Sequence, residues 1–369
     1  MTTPILQFGT SRFLQAHADL FVSEALERGE ALGSITIVQT TRSGERSRRL
    51  TALAAPEGFP VRIRGLSKGE TVDDIRRVTS VRRALSIHDD WTETARIFSD
   101  EALVVICNTG DAGYDIGAEA NGLPDGVPES FPGKLTKLLL DRFEKGGAAL
   151  TILPAELISR NGDALKTIVI GLARRWRLPQ AFRDWLDQDV VFSNTLVDRI
   201  VSEPIEPAGA VAEPYALWAI ETRPGQTLPC LHPDIVAAAD ISSYERLKLF
   251  ILNLGHTVLT ETWLASDLPR DMVVRELLAR PDYLDFLEDF YAQEIIPGFA
   301  HRGMKEAAEA YALQTIERFR NPFLDHRLSD IAQNHLEKIR RRAGGFLDWT
   351  GASAPTLENM IRKADQNVQ

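Results

Sequence analysis

The sequence predicts an α/β chain, with a doubly wound parallel sheet over its first two thirds followed by a mostly helical part. Short apolar, β-branched runs alternate with helical patterns through the first two hundred residues, the habit of a parallel sheet with crossover helices. From about Asp240 the strand signal stops and amphipathic segments succeed one another. A length of 369 residues, 44% of them hydrophobic and 25% charged, suits a globular chain of two domains. The expected division is 1–240 and 241–369.

Taken in order, the expected strands are Pro4–Phe8, Ser34–Thr40, Val61–Gly65, Leu103–Cys107, Ala148–Leu153 and Val190–Phe192, with Val211–Glu221 as one more. Helical stretches such as Phe13–Arg28 and Gly133–Lys145 separate them. Pro224-Gly225, Pro229 and Pro233 mark a linker or sheet edge. The later helices are expected at Tyr244–Ala265, Val273–Ala279, Asp282–Ile295, Lys305–Arg318 and Leu328–Arg342.

A formal charge of −10 argues against nucleic acid or an anionic membrane as the main partner. Two cysteines, Cys107 and Cys230, provide neither a disulfide framework nor a Cys-rich zinc site, so no metal is expected. The opening residues lack a basic, then apolar leader, and no run approaches the ~20 apolar residues of a membrane span. A soluble, cytoplasmic protein, monomeric or homodimeric, is expected.

The first strand runs into Phe8-Gly9-Thr10-Ser11-Arg12-Phe13, a tight turn opening a helix. In a Rossmann-like sheet this is where a dinucleotide's pyrophosphate rests on backbone N–H groups, and a glycine permits the close approach. Only Gly9 matches the usual glycine pattern; Ser11 and Gln15 replace the later ones, so an ordinary strand-to-helix turn is the competing reading. The second strand ends in Gln39-Thr40-Thr41-Arg42, without the carboxylate that would bind an adenosine ribose. Arg42 would instead pair with a 2′-phosphate, or simply begin a solvated basic helix, so the cofactor is NAD or NADP. Asn108-Thr109-Gly110, at the carboxyl end of the fourth strand, is either a cofactor contact or a turn.

The chemistry concentrates in Tyr244–His256, where Lys248, Asn253 and His256 interrupt an apolar helix. At about 100° per residue they fall near 0°, 140° and 80° around the axis, with Glu245 near 60°. Buried polar groups need partners or a job, and a lysine held there would lose its proton nearer neutral pH.

That Lys248, Asn253 and His256 spacing resembles the mannitol dehydrogenase family, the polyol-specific long-chain dehydrogenases. Further blocks carry the resemblance: Gln7-Phe8-Gly9 leading to Phe13-Leu14, Arg64-Gly65-Leu66, Glu156-Leu157-Ile158 with Asn161-Gly162-Asp163, Asn194 through Arg199, and Arg318 through Phe323. Within the family the chain is most similar to the tagaturonate (altronate) reductases. The resemblance implies an NAD(P)-dependent interconversion of ketone and secondary alcohol on a sugar acid or polyol, such as reduction of tagaturonate or fructuronate to a hexonate.

It also implies roles. Lys248 would be the acid–base group, Asn253 the donor to the developing oxyanion and Asn161 a second donor. His256 would orient a substrate hydroxyl and Glu245 relay the proton. Asp198 would position the lysine helix or form a structural ion pair. Asn321, His326 and Lys338 would close the substrate pocket, Lys338 facing a carboxylate, or else lie on a solvated helix face. Ala155 and Leu157 depart from the family pattern, which has cysteine at the first position and, in mannitol dehydrogenases proper, asparagine at the second. The competing functions are a mannitol-, arabinitol- or hexitol-phosphate dehydrogenase and, from another class, a dinucleotide sensor without turnover.

Overall fold

A computed structural model describes residues 2–41, 46–110, 113–117, 119 and 122–366, with side chains described for all of these except 46 and 47. The chain divides into two compact units. The first comprises Met1–Ile63, Asp74–Ala212 and Ala216–Ile241; the second comprises Arg64–Asp73, Glu213–Tyr215 and Ser242–Gln369. Two short segments that a single cut at residue 240 leaves in the first domain thus group with the second.

The strands are β1 (Ile5–Phe8), β2 (Ile35–Gln39), β3 (Phe59–Ser67), β4 (Glu70–Val78), β5 (Val81–Ser86), β6 (Val104–Cys107), β7 (Leu150–Pro154), β8 (Val190–Phe192), β9 (Thr195–Asp198), β10 (Val201–Pro204), β11 (Ala210–Ala212), β12 (Leu217–Glu221) and β13 (Ile235–Ala238). Six form one parallel sheet in the order β5-β2-β1-β6-β7-β8. That is the doubly wound order, which reverses direction between β1 and β6 and opens a crevice at their carboxyl ends. Strands β1, β2, β6 and β7 are buried along their whole length, as a parallel sheet covered on both faces requires.

Several expectations change. The run Val211–Glu221 is two strands in two sheets, β11 beside β3 and β12 between β9 and β13, with Glu213–Tyr215 between them. Strand β4 was not expected, because nearly every residue of it is charged or exposed, as suits a sheet edge. The helix expected over Phe13–Arg28 breaks at Ala16-His17 into Arg12–Gln15 and Ala18–Glu27. The cause is tertiary: Arg199 Nη1 donates to Ala16 O at 2.6 Å, and His17 Nε2 bonds Leu217 O at 3.0 Å.

The second unit is helical, over 242–264, 274–278, 281–301, 305–319, 328–331, 335–350 and 355–366. Leu254, Leu259, Phe299 and Phe346 are fully buried at its centre. Three of its helices contain a stretch of i→i+5 bonding: Lys248–Asn253, Tyr291–Ile295 and Arg340–Gly344. Such wide turns are rare and concentrate at functional sites. Among the described residues no helix is long and apolar enough to cross a membrane.

Candidate active site

In the first unit, β1 ends at Phe8, fully buried, and the chain turns at Gly9 with φ +117°. A Cβ there would lie 2.6 Å from Asn108 O, so only glycine fits the turn against the end of β6. Ser11 caps Arg12–Gln15, its Oγ accepting from Leu14 N at 3.2 Å and donating to Asn108 Oδ1 at 3.2 Å. Thr10 O is held by Gln15 Nε2 at 3.0 Å and Arg49 Nη2 at 2.8 Å. Gln15, where the pattern expects a late glycine, also accepts from Gly209 N at 2.7 Å. The turn is therefore rigid without further glycines. The N–H groups of Arg12 and Phe13 open a helix and find no partner within it, which fits a pyrophosphate. Arg12 is exposed and Phe13 half-buried, stacked on His17. Thr41 is exposed, and Arg42 lies outside the described residues.

The loop after β6 is braced from below. Asn108 Nδ2 donates to Ala155 O at 2.7 Å. Thr109 donates to Glu156 Oε1 from both its N–H and its hydroxyl at 3.1 Å, and Tyr114 OH donates to Glu156 Oε2 at 3.2 Å. Burial raises the Glu156 carboxyl, while the bonds from Thr109 oppose the shift. Sequence reading gave Glu156 no role, since its partners come from another strand. Gly110, at φ +83°, is exposed. Leu157, where mannitol dehydrogenases proper have asparagine, is 71% exposed.

The Asn161 amide is fully buried: Nδ2 donates to Pro154 O, Glu156 O and Thr195 O at 3.0–3.1 Å, and Oδ1 accepts from Thr195 N at 2.9 Å. Through these bonds Asn161 ties β7 to β9. Asp198, at the end of β9, is buried in the same unit.

In the second unit, Lys248 opens the wide turn and Asn253 closes it. At α-helical pitch they stand about 140° apart. The i→i+5 turn accommodates more residues per revolution and draws positions five apart toward one side. Both side chains are half-buried, as is Glu245 in the preceding turn. His256 is 7% exposed, its ring 4.2 Å from Phe319 and 4.8 Å from His326 between centroids. Burial, followed by the charges of His326, Arg342, Arg318 and Lys338, holds its pKa well below the ordinary imidazole value. Burial also lowers His326, whose Nδ1 is buried without a partner among the described residues, and Lys338.

Lys338 Nζ donates to Ile331 O at 2.8 Å and is half-buried. Asn321 Nδ2 donates to Arg64 O at 3.1 Å and its Oδ1 accepts from Phe323 N at 3.0 Å, two bonds that brace the loop. The amide lies close against Gly65, with Nδ2 2.9 Å from where a Cβ would stand. The sequence reading also missed Arg342, whose Nη1 donates to Asn253 O and Thr257 Oγ1 at 2.8 Å each. Among the described residues, no three His, Cys, Asp or Glu side chains gather as a metal site.

Comparison with known proteins follows the same two-part division. The mannitol dehydrogenase Rossmann domain model matches residues 3–230, and the mannitol dehydrogenase C-terminal domain model matches residues 240–347. An altronate oxidoreductase of Halalkalibacterium halodurans is 32% identical over 360 residues, covering 92% of this chain and 69% of that protein. One from Bacillus subtilis is 31% identical over 364 residues, covering 92% and 73%. Among solved structures, D-sorbitol dehydrogenase in substrate-free form matches with a TM-score of 0.79 at 19% identity, over 92% of this chain and 74% of that one. Pseudomonas fluorescens mannitol 2-dehydrogenase, in a ternary complex with NAD and D-mannitol, gives 0.75 at 18% identity over 99% and 78%. At these identities the two structures speak for the fold alone.

Proposed function

The chain belongs to the mannitol dehydrogenase family, and on that premise we propose that it is an NAD(P)-dependent oxidoreductase interconverting a keto-uronate, tagaturonate or fructuronate, with its hexonate. The observation that carries the chemistry is the wide turn, which begins at Lys248 and ends at Asn253 in an otherwise apolar helix. When bound, the nicotinamide cofactor supplies or accepts the hydride at the substrate carbon. Lys248 gives its proton to the carbonyl oxygen during reduction and takes it back during oxidation. The Asn253 amide donates to the same oxygen as it gathers charge. His256, neutral at working pH, holds a neighbouring substrate hydroxyl, and Glu245 passes the lysine's proton toward solvent. No step is assigned to Asp198, and none needs a metal. The residues Gly9 to Phe13 form the cofactor's pyrophosphate turn, and Asn108 to Gly110 border it.

Charge supports the acid over the free polyol. Lys338, half-buried and acting as a cation on both His256 and His326, suits an anionic sugar. The altronate oxidoreductase likeness, which covers 92% of this chain, points the same way.

The test is a panel of keto-uronates, ketoses, hexitols and hexitol phosphates, each assayed with NAD(H) and NADP(H). The expected result is keto-uronate reduction with a kcat/KM at least about a hundredfold above that for fructose, which has a hydroxymethyl group in place of the carboxylate. Equal rates on fructose would overturn the substrate assignment. Cofactor binding without turnover of any member would favour the sensor. A strong NADH preference would sink the pairing of Arg42 with a 2′-phosphate.

A further inference from the structure

The wide turn that begins at Lys248 and ends at Asn253 is held by two other wide turns of the same unit. Tyr291, the first residue of Tyr291–Ile295, is 1% exposed, and its hydroxyl donates to Ile251 O at 3.0 Å. Arg342, inside Arg340–Gly344, donates to Asn253 O at 2.8 Å, and the same Nη1 reaches Thr257 Oγ1, which itself donates to Asn253 O at 3.0 Å. Both side chains therefore land on carbonyls of the catalytic helix's own wide turn. Gly255 makes room for one of them: a Cβ there would lie 2.0 Å from the Tyr291 hydroxyl. A glycine inside a helix lowers helix propensity, and this contact gives it a packing reason.

An i→i+5 turn differs from an α turn by one inserted residue, so its loss would rotate the helix on one side of it by about 100° relative to the other. Lys248 and Asn253 lie at its two ends. We infer that Tyr291 and Arg342 are positioning residues that hold Lys248–Asn253 in its wide-turn conformation and so set the acid–base lysine and the oxyanion-binding asparagine in register. The inference rests on the proposed roles of Lys248 and Asn253. Tyr291 and Arg342 touch only the helix in this account, and act through it.

Tyr291→Phe removes one hydroxyl and leaves the ring, while Arg342→Met removes the donors and keeps most of the stem. Each is expected to lower kcat for keto-uronate reduction by about tenfold to a hundredfold, with the cofactor KM within about twofold of the parent. The double variant should be little worse than the worse single variant, because both hold one element. Arg342→Lys, which keeps a donor and the charge, should recover part of the loss. Amide hydrogen exchange over 248–258 should quicken in Tyr291→Phe.

Lys248→Ala is assayed alongside. If it abolishes turnover while Tyr291→Phe and Arg342→Met keep kcat within twofold, the clamp is wrong. If Lys248→Ala itself stays active, the proposed chemistry fails, and the exchange measurement alone decides the clamp: faster exchange supports it and unchanged exchange overturns it.

Discussion

Replacing Glu213 with glutamine should destabilise the second unit by about 3–5 kcal/mol, the usual cost of stripping a buried charge of its partner. Glu213 and Arg318 are 2% and 3% exposed at their side chains, and they meet through two bonds, Nε to Oε2 at 3.0 Å and Nη2 to Oε1 at 2.8 Å. The guanidinium lies 4.2 Å from the Tyr215 ring centroid, and its third nitrogen reaches Tyr311 OH at 3.4 Å. Glutamine keeps the shape but replaces one anionic oxygen with a donor that faces a cation. At 1.4 kcal/mol per decade the loss is roughly two to three and a half powers of ten in the opening equilibrium. For a unit of this size it is a fall on the order of 10 °C in one melting transition.

Differential scanning calorimetry is the assay, because a chain of two units need not unfold in one step and each transition must be followed separately. The double variant Glu213→Leu, Arg318→Met removes both charges into similar volume and should recover most of the stability. A loss below about 1 kcal/mol for Glu213→Gln, the worth of an exposed pair, would refute the reasoning.

Gly9→Ala should weaken cofactor binding by more than about tenfold, since φ +117° and the 2.6 Å approach to Asn108 O both exclude a Cβ; a fluorescence titration with NADH and NADPH reads it, and unchanged affinity counts against the turn as the cofactor site. Because the folded pKa of His256 is depressed below its ordinary 6.5, the unfolded chain binds more protons there, so its contribution to stability is complete above about pH 6.5 and is lost as pH falls below it. The comparison is urea unfolding of the parent against His256→Asn between pH 5 and 8. The difference isolates the histidine, since the raised carboxyls of Asp19 and Glu156 contribute with the opposite sign. A constant difference across that range would contradict it.

The central strands were legible because a parallel sheet buried on both faces favours apolar, β-branched runs: Val104–Cys107 is unbroken, and Ile5–Phe8, Ile35–Gln39 and Leu150–Pro154 are interrupted only by Gln7, Thr36, Gln39, Thr151 and Pro154. Lys248, Asn253 and His256 stood out for the converse reason, as polar groups in an apolar helix. What stayed hidden depends on atoms far away in the chain. The break at His17 needs the Leu217 carbonyl and Arg199, and the amides of Asn161 and Asn321 are committed to carbonyls that only the folded chain brings near. Residue type alone cannot show where an amide's bonds go.

The wide turn was hidden in a similar way. Its spacing reads as α-helix until Tyr291 and Arg342 arrive at its carbonyls from about 40 and 90 residues downstream. One local signal was present in Gly255, a glycine in mid-helix with no turn to make. The charged edge strand Glu70–Val78 offered no such clue, since its exposed face removes the alternation by which strands are found.

Lys248 is the proposed proton carrier, and the most direct measurement is the kcat of Lys248→Ala for keto-uronate reduction, with and without added small primary amines. The expected result is a fall of about a thousandfold or more with cofactor affinity unchanged, partly restored by amines small enough to occupy the vacated space. A variant that keeps kcat within about tenfold of the parent would contradict it.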